Sequence, residues 1–179
     1  MEKTWSHPNK MALFFGNIDA YAFGVGEEVQ FWFHIPHDYA VGTDLFIHAH
    51  WSHNGTAISG SMQWDYYATY AKGHQQASFP AEVAGSIVVP VTIVDTPQYF
   101  HRVDEVQLSS STSGGSPPTA SQLETDDIEV DGLVGINIKA GAIPAIGSGS
   151  PNEPFLLQVD LHYQADIEGT KNKVPNFYS

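Results

Sequence analysis

The chain has 179 residues and a mass of 19.6 kDa, the size of one domain. It is 42% hydrophobic and 12% aromatic, which excludes disorder over the chain as a whole; 7 basic against 20 acidic residues give −13, which argues against nucleic acid and anionic membranes as partners. The lack of cysteine removes disulfides, thiolate catalysis, Cys-ligated zinc and iron–sulfur clusters.

Residues 1–19 read as an N-terminal arm. Pro8 and Lys10 interrupt any apolar stretch there, so no signal peptide is expected. No apolar run reaches the ~18 residues of a membrane helix. From residue 20 onward the periodicity is two rather than 3.6. A short strand is expected over Ala20–Val25. In Val29–Ile35 the residues Val29, Phe31, Phe33 and Ile35 share one face, and Gln30, Trp32 and His34 the other. In Leu45–Trp51, Leu45, Ile47, Ala49 and Trp51 oppose Phe46, His48 and His50. Asn54-Gly55 then signals a two-residue hairpin, because both residues tolerate the positive φ of a type I′ turn. The returning strand is Ile58–Tyr70, with Met62, Trp64, Tyr66, Ala68 and Tyr70 on one face.

Ser86–Val94 is a β-branched run, and its Pro90 marks an edge or a bulge. Tyr99–Leu108 is a weaker strand. Residues 109–132 read as a long loop, Ser/Thr/Gly/Pro-rich and then acidic, of the kind that binds or is disordered. Gly132–Lys139 returns to alternation. Phe155–Gln164 closes the domain, with Leu157, Val159, Leu161 and Tyr163 opposing Leu156, Gln158, Asp160 and His162. About eight antiparallel strands with long loops and no helices predict a single all-β domain over residues 20–170. The expected architecture is a jelly-roll-like β-sandwich, followed by a C-terminal tail at 171–179.

Five of the nine histidines fall between His34 and His53. His48 and His50 stand at i, i+2 on one strand face, a spacing that can chelate a metal. Gly42 through His50 also fits the Gly-x5-His-x-His opening of the cupin metal motif. The Glu expected four or five residues later is replaced by Asn54 and Gly55, and no second cupin motif follows. The preferred reading gives these histidines hydrogen-bond partners, Asp160 or Gln158 on a neighbouring strand, and no metal or other cofactor. If a metal is bound, the candidate ligands are His48, His50 and His162. Asp160 and His162 form a His–carboxylate pair, yet no Gly-x-Ser-x-Gly elbow supplies a nucleophile, and no catalytic residue is assigned. Glu124, Asp126, Asp127, Glu129 and Asp131 fail the EF-hand pattern, which needs Gly at its sixth position and Glu at its twelfth. They read as a solvated acidic loop. Asn54-Gly55-Thr56 matches a glycosylation acceptor but is read as a turn, and Gly24-Val25-Gly26 lacks the third glycine of a dinucleotide fingerprint.

The run Phe33–Tyr39, then Gly42–Leu45, then His48–Trp51, resembles a segment of virion structural proteins of tailed bacteriophages; Phe155–Tyr163 with Asp166–Gly169 resembles their closing strand. The resemblance covers roughly residues 20–70 and 150–170. It implies a β-sandwich in a capsid decoration (cement) protein or in a tail or fibre tip, commonly trimeric, with a structural role and no reaction. The expectation is a homotrimer on the capsid surface, partnered by the major capsid protein. Aromatic and histidine residues on the second strand faces, Trp32, His34, His48, His50, Asp160 and His162, are the expected subunit interface. Trp5 and Lys10 in the arm and Phe177 and Tyr178 in the tail are expected to dock on the capsid. The alternatives are a tail or fibre-tip receptor-binding module and, from another class, a cupin-like metalloenzyme.

Overall fold

The computed structural model of the protein describes residues 11–74 and 76–166. Twelve strands carry the fold: β1 Met11–Phe15, β2 Ile18–Ala22, β3 Glu28–His34, β4 Phe46–Ser52, β5 Ala57–Ala71, β6 Val83–Thr92, β7 Arg102–Gln107, β8 Ser109–Ser110, β9 Leu123–Glu124, β10 Leu133–Ala142, β11 Ala145–Gly147 and β12 Phe155–His162. A single 3-10 turn among the described residues spans Thr125–Asp127. Among the described residues no helix is long and apolar enough to cross a membrane.

Eight of these strands form two antiparallel sheets, β2-β12-β4-β7 and β3-β10-β5-β6. Along these eight strands every step but β5/β6 crosses from one sheet to the other, which is the strand order of a jelly roll. β1 extends the first sheet at its β2 edge, and β11 pairs the start of β5 in the second. The eight expected strands are all present. Between the sheets lie Ile47, Ala49, Trp51, Val106 and Val159 from one side and Met62, Trp64, Tyr66, Ala68, Val134, Ile136 and Ile138 from the other. The alternation in β3, β4 and β5 faces as the sequence dictates. Each of these strands has one wet and one dry face, so period two is enforced by burial. Among the described residues β6 pairs only β5, so Pro90 sits on an edge strand, where its missing N–H is tolerated.

Two expectations need correction, and the arm and the long loop gain detail. Asn54-Gly55 does not close a hairpin: β4 belongs to the first sheet and β5 to the second, so this segment is a crossover. Gly55 is required for close approach instead, since a Cβ there would lie 2.4 Å from Ile146 Cγ2 and 2.6 Å from the Gly147 carbonyl oxygen. In β12 a register shift between Leu156 and Gln158 reverses the phase. Leu156 therefore enters the core and Leu157 is exposed, the usual consequence of one extra residue in a bulge. Over the second half of the arm, β1 runs into β2 as a hairpin through Gly16 at φ +58. Apolar residues on both faces of Met11–Phe15 hid its alternation. Lastly, the 109–132 loop is ordered and fills space. β8 and β9 pair in parallel, and Leu123, Ile128 and Val130 are buried in the main core.

Three side chains clasp the sandwich through one buried carboxylate. Asp104 Oδ2 accepts hydrogen bonds from Trp51 Nε1 (2.7 Å) on β4 and Trp64 Nε1 (2.9 Å) on β5, while Oδ1 accepts from Arg102 Nε (3.0 Å). One acceptor thus joins the two sheets across the core.

Candidate functional site

The first sheet carries a polar row on its outer face. His48 lies opposite Asp160 of β12 on one side and Glu105 of β7 on the other. Pairing fixes this row, because directly opposed residues share a face. His48 Nε2 is 2.8 Å from Glu105 Oε2, and His48 Nδ1 is 3.6 Å from Asp160 Oδ1. His50 Nε2 is 3.3 Å from Asp160 Oδ2, and its Nδ1 is 2.8 Å from His101 Nε2. Both imidazoles are mostly buried, at 16% and 17% side-chain exposure. Asp160 is the expected partner of both. His162 lies beside them: its ring stacks on His48 at 4.7 Å between centroids. His101 stacks likewise on His50, at 5.0 Å.

The six residues expected at one interface do not share one face. His48, His50, Asp160 and His162 lie on the outside of the first sheet. Trp32 and His34 lie on β3, at the outer face of the second. Trp32 is 59% exposed, and its ring covers Gly135, where a Cβ would come within 2.6 Å of it. Beside it runs a groove of about 140 Å³ lined by Gln30, Tyr67, Thr69, Glu82 and Asn137. The imidazoles of the cupin-like run point outward, while Ile47, Ala49 and Trp51 fill the interior where an enclosed metal centre would sit. Trp5, Lys10, Phe177 and Tyr178, with the whole 171–179 tail, lie outside the described residues.

His34 joins a second cluster, at the end of the sandwich where β3, β5 and the 109–132 segment meet. Asp131 Oδ1 is 2.9 Å from His34 Nε2 and 2.8 Å from His37 Nε2; Oδ2 is 3.4 Å from His74 Nε2. Asp131 holds φ +61, a left-handed conformation that Asp adopts more readily than most residues. Its N–H donates to the Ile35 carbonyl (3.0 Å). Burial holds the neighbouring Tyr70 phenol up at about 12, and its oxygen accepts from the Glu129 N–H (2.9 Å).

No family model, curated protein or solved structure matches the chain.

The acidic run is less solvated than its composition implies. Lys72 Nζ sits 3.0 Å from Asp127. Glu124 accepts from the Thr112 hydroxyl (2.6 Å) and N–H (3.1 Å), and these bonds hold its carboxyl below the usual range. Asp126 is lowered in the same way by the hydroxyls of Ser113 and Ser111 and by the Ser113 N–H. A carboxylate whose folded value is depressed stabilises the fold above its unfolded value, and that contribution is lost as pH falls through the folded one. Acidification below about pH 4.5, the ordinary glutamate range, is therefore expected to loosen the hydrogen bonds that tie Ser111, Thr112 and Ser113 to Glu124 and Asp126 before the core strands open. Amide exchange, corrected for intrinsic rates, is expected to accelerate first at Thr112, Ser113 and Asp126. Unchanged protection of these amides at pH 3 would refute this.

Glu105, His101, Asp104, Arg102 and His74 are the site and clasp residues that sequence reasoning missed. The signal for two of them was present: Arg102, Asp104 and Val106 share a strand face, and a salt-bridging pair at i, i+2 on a strand belongs to that one face.

Proposed function

We propose that this chain is a structural, non-catalytic protein of a tailed-bacteriophage virion, a capsid decoration protein that binds the head lattice as a homotrimer. The observation that carries the assembly role is the β1–β2 hairpin. Met11, Leu13, Phe15, Ile18 and Tyr21 are between 48% and 62% exposed on this one edge element. Large apolar side chains concentrated at a sheet edge mark an association surface, and among the described residues β1 is the edge strand beside them. The resemblance of Phe33–Tyr39, His48–Trp51 and Phe155–Tyr163 to virion proteins supplies the setting. In that setting the partners are two further copies of the chain and the major capsid protein, at the capsid surface. The jelly roll by itself supports no single role, since the fold hosts many.

Light scattering is expected to give three times the 19.6 kDa chain mass at micromolar concentration. Leu13→Glu, combined with Met11→Glu, places two charges in the strip and is expected to weaken assembly at least about 100-fold, as desolvating unpaired charge at an interface does. Wild-type protein added to capsids that lack it is expected to bind, and the double variant is not. A monomeric wild-type chain, or a variant that still assembles and binds, overturns the proposal. A second reading, a tail or fibre-tip module contacting host glycans, is favoured by the exposed Trp32 platform and the amide-lined groove beside it. Aromatic rings with flanking hydrogen-bonding groups suit sugar faces and hydroxyls.

A further inference from the structure

We propose that His48, His50 and Asp160 form a binding site for one first-row divalent cation, of which Zn2+ is the type, on the outer face of the first sheet. The inference is independent of the capsid role.

One ligand atom from each of the three residues can be chosen so that all lie within 4.8 Å of one another. His50 Nε2 and Asp160 Oδ2 are 3.3 Å apart, and His48 Nδ1 and Asp160 Oδ1 are 3.6 Å apart. Atoms bound to zinc at about 2.0–2.1 Å in a tetrahedral arrangement stand about 3.4 Å from each other, close to each of these imidazole–carboxylate separations, which are made to the two different oxygens of Asp160. His50 Nε2 and Asp160 Oδ1 are both shut off from water, and neither is aligned for any hydrogen bond. Buried polar atoms normally find partners, and a cation between them satisfies both.

The surroundings leave the correct nitrogens free. Glu105 as a carboxylate can only accept, so it takes the proton on His48 Nε2 and leaves the Nδ1 lone pair facing Asp160. With His50 Nδ1–H donating to His101 Nε2 (2.8 Å), the Nε2 lone pair faces the same point. Carboxylate–histidine–metal relays of the Glu105–His48 kind orient ligands and raise their basicity. Two imidazoles and one carboxylate suit zinc and its first-row neighbours, and the partly exposed Asp160 leaves room for a water in the remaining position. The −13 chain charge raises the local concentration of cations.

The test uses full-length protein stripped with chelator and dialysed against ZnCl2, with metal per chain read by mass spectrometry. One zinc per chain is expected. At a hundredfold excess over the dissociation constant the melting temperature rises by roughly 5–10 °C. Glu105→Gln, which keeps shape but removes the relay, is expected to weaken binding about 10-fold or more. Asp160→Asn and His50→Ala abolish it, and His162→Ala retains it. Melting each variant in chelator checks that it is folded. Co2+ in place of zinc gives a second readout in the wild-type protein, the intense visible absorption of a four-coordinate ion. Stoichiometric zinc lost in Asp160→Asn and His50→Ala upholds the site. No zinc at 100-fold molar excess, or zinc kept by those two variants, overturns it, and the latter would place the ion elsewhere.

Discussion

Replacing Asp104 by Ala destabilises the protein by roughly 3–5 kcal/mol, the range found when one partner of a buried ionic group is removed. Asp104 is 4% exposed and receives three donors from three side chains. Without it, the indole N–H groups of Trp51 and Trp64 remain in a core from which water is excluded. The Arg102 guanidinium loses its closest carboxylate, keeping the Thr96 hydroxyl at 2.6 Å and Asp95 at 3.6 Å. At about 2–4 °C per kcal/mol for a chain of this size, the melting temperature falls by at least about 6 °C. Asp104→Asn retains one carbonyl acceptor and is expected to lose less. The effects are coupled: in a Trp64→Phe background one orphaned donor is already gone, so Asp104→Ala costs less there than in the wild type. Calorimetry of the four proteins in that cycle measures the coupling. Simple additivity, or an Asp104→Ala protein that melts with the wild type, would show that the carboxylate does not clasp the sheets.

Only the Arg102–Asp104 half of that clasp left a signal in the sequence, for a physical reason. In Arg102–Gln107 the inward positions are Arg102, Asp104 and Val106, while Val103 faces out at 43% exposure. A carboxylate in a strand reads as a solvent-facing residue unless its partners are known, and here two of them come from β4 and β5. The strands with one wet and one dry face were legible, because burial and period two coincide in β3, β4 and β5. The i, i+2 histidines of β4 were legible for the same reason, and so was Asp160 as their partner. Glu105 and His101 were not, since which strand borders β4 is decided by topology. Gly55 misled because glycine answers two demands, positive φ and close approach, and only the packed structure tells them apart. The cluster around Asp131 draws on β3, the loop after it, the turn after β5 and the end of the acidic run. No local pattern announces such a meeting, and Asp131 looked like one more solvated acid.

Gly73→Ala tests how firmly that meeting is fixed. A Cβ at residue 73 would lie 2.0 Å from the Asp131 carbonyl oxygen and 2.6 Å from its carbonyl carbon. These are backbone atoms, held in place from several sides. The Asp131 N–H is bonded to Ile35 (3.0 Å), the Gly132 carbonyl accepts from Ile35 N–H (2.8 Å), and the Tyr70 ring fills the space beside Gly132. No side chain can swing away to admit the methyl group, so the turn after β5 or the Asp131 segment must shift. The cost is roughly 3 kcal/mol, at the upper end for overpacking, and the melting temperature falls by about 6–12 °C. Two other glycines calibrate the result. Gly42 sits at φ +84 with nothing within 4 Å of a Cβ, so Gly42→Ala carries backbone strain alone, about 1–2 kcal/mol. Gly114 has ordinary φ and its nearest neighbour at 3.4 Å, so Gly114→Ala stays within about 0.5 kcal/mol of the wild type. The expected order of loss is Gly73, then Gly42, then Gly114. If Gly73→Ala melts with Gly114→Ala, the turn yields freely, and the three histidines gather on a carboxylate that moves with them. If the order holds, Asp131 is a fixed post set by main-chain packing, and His34, His37 and His74 come to it.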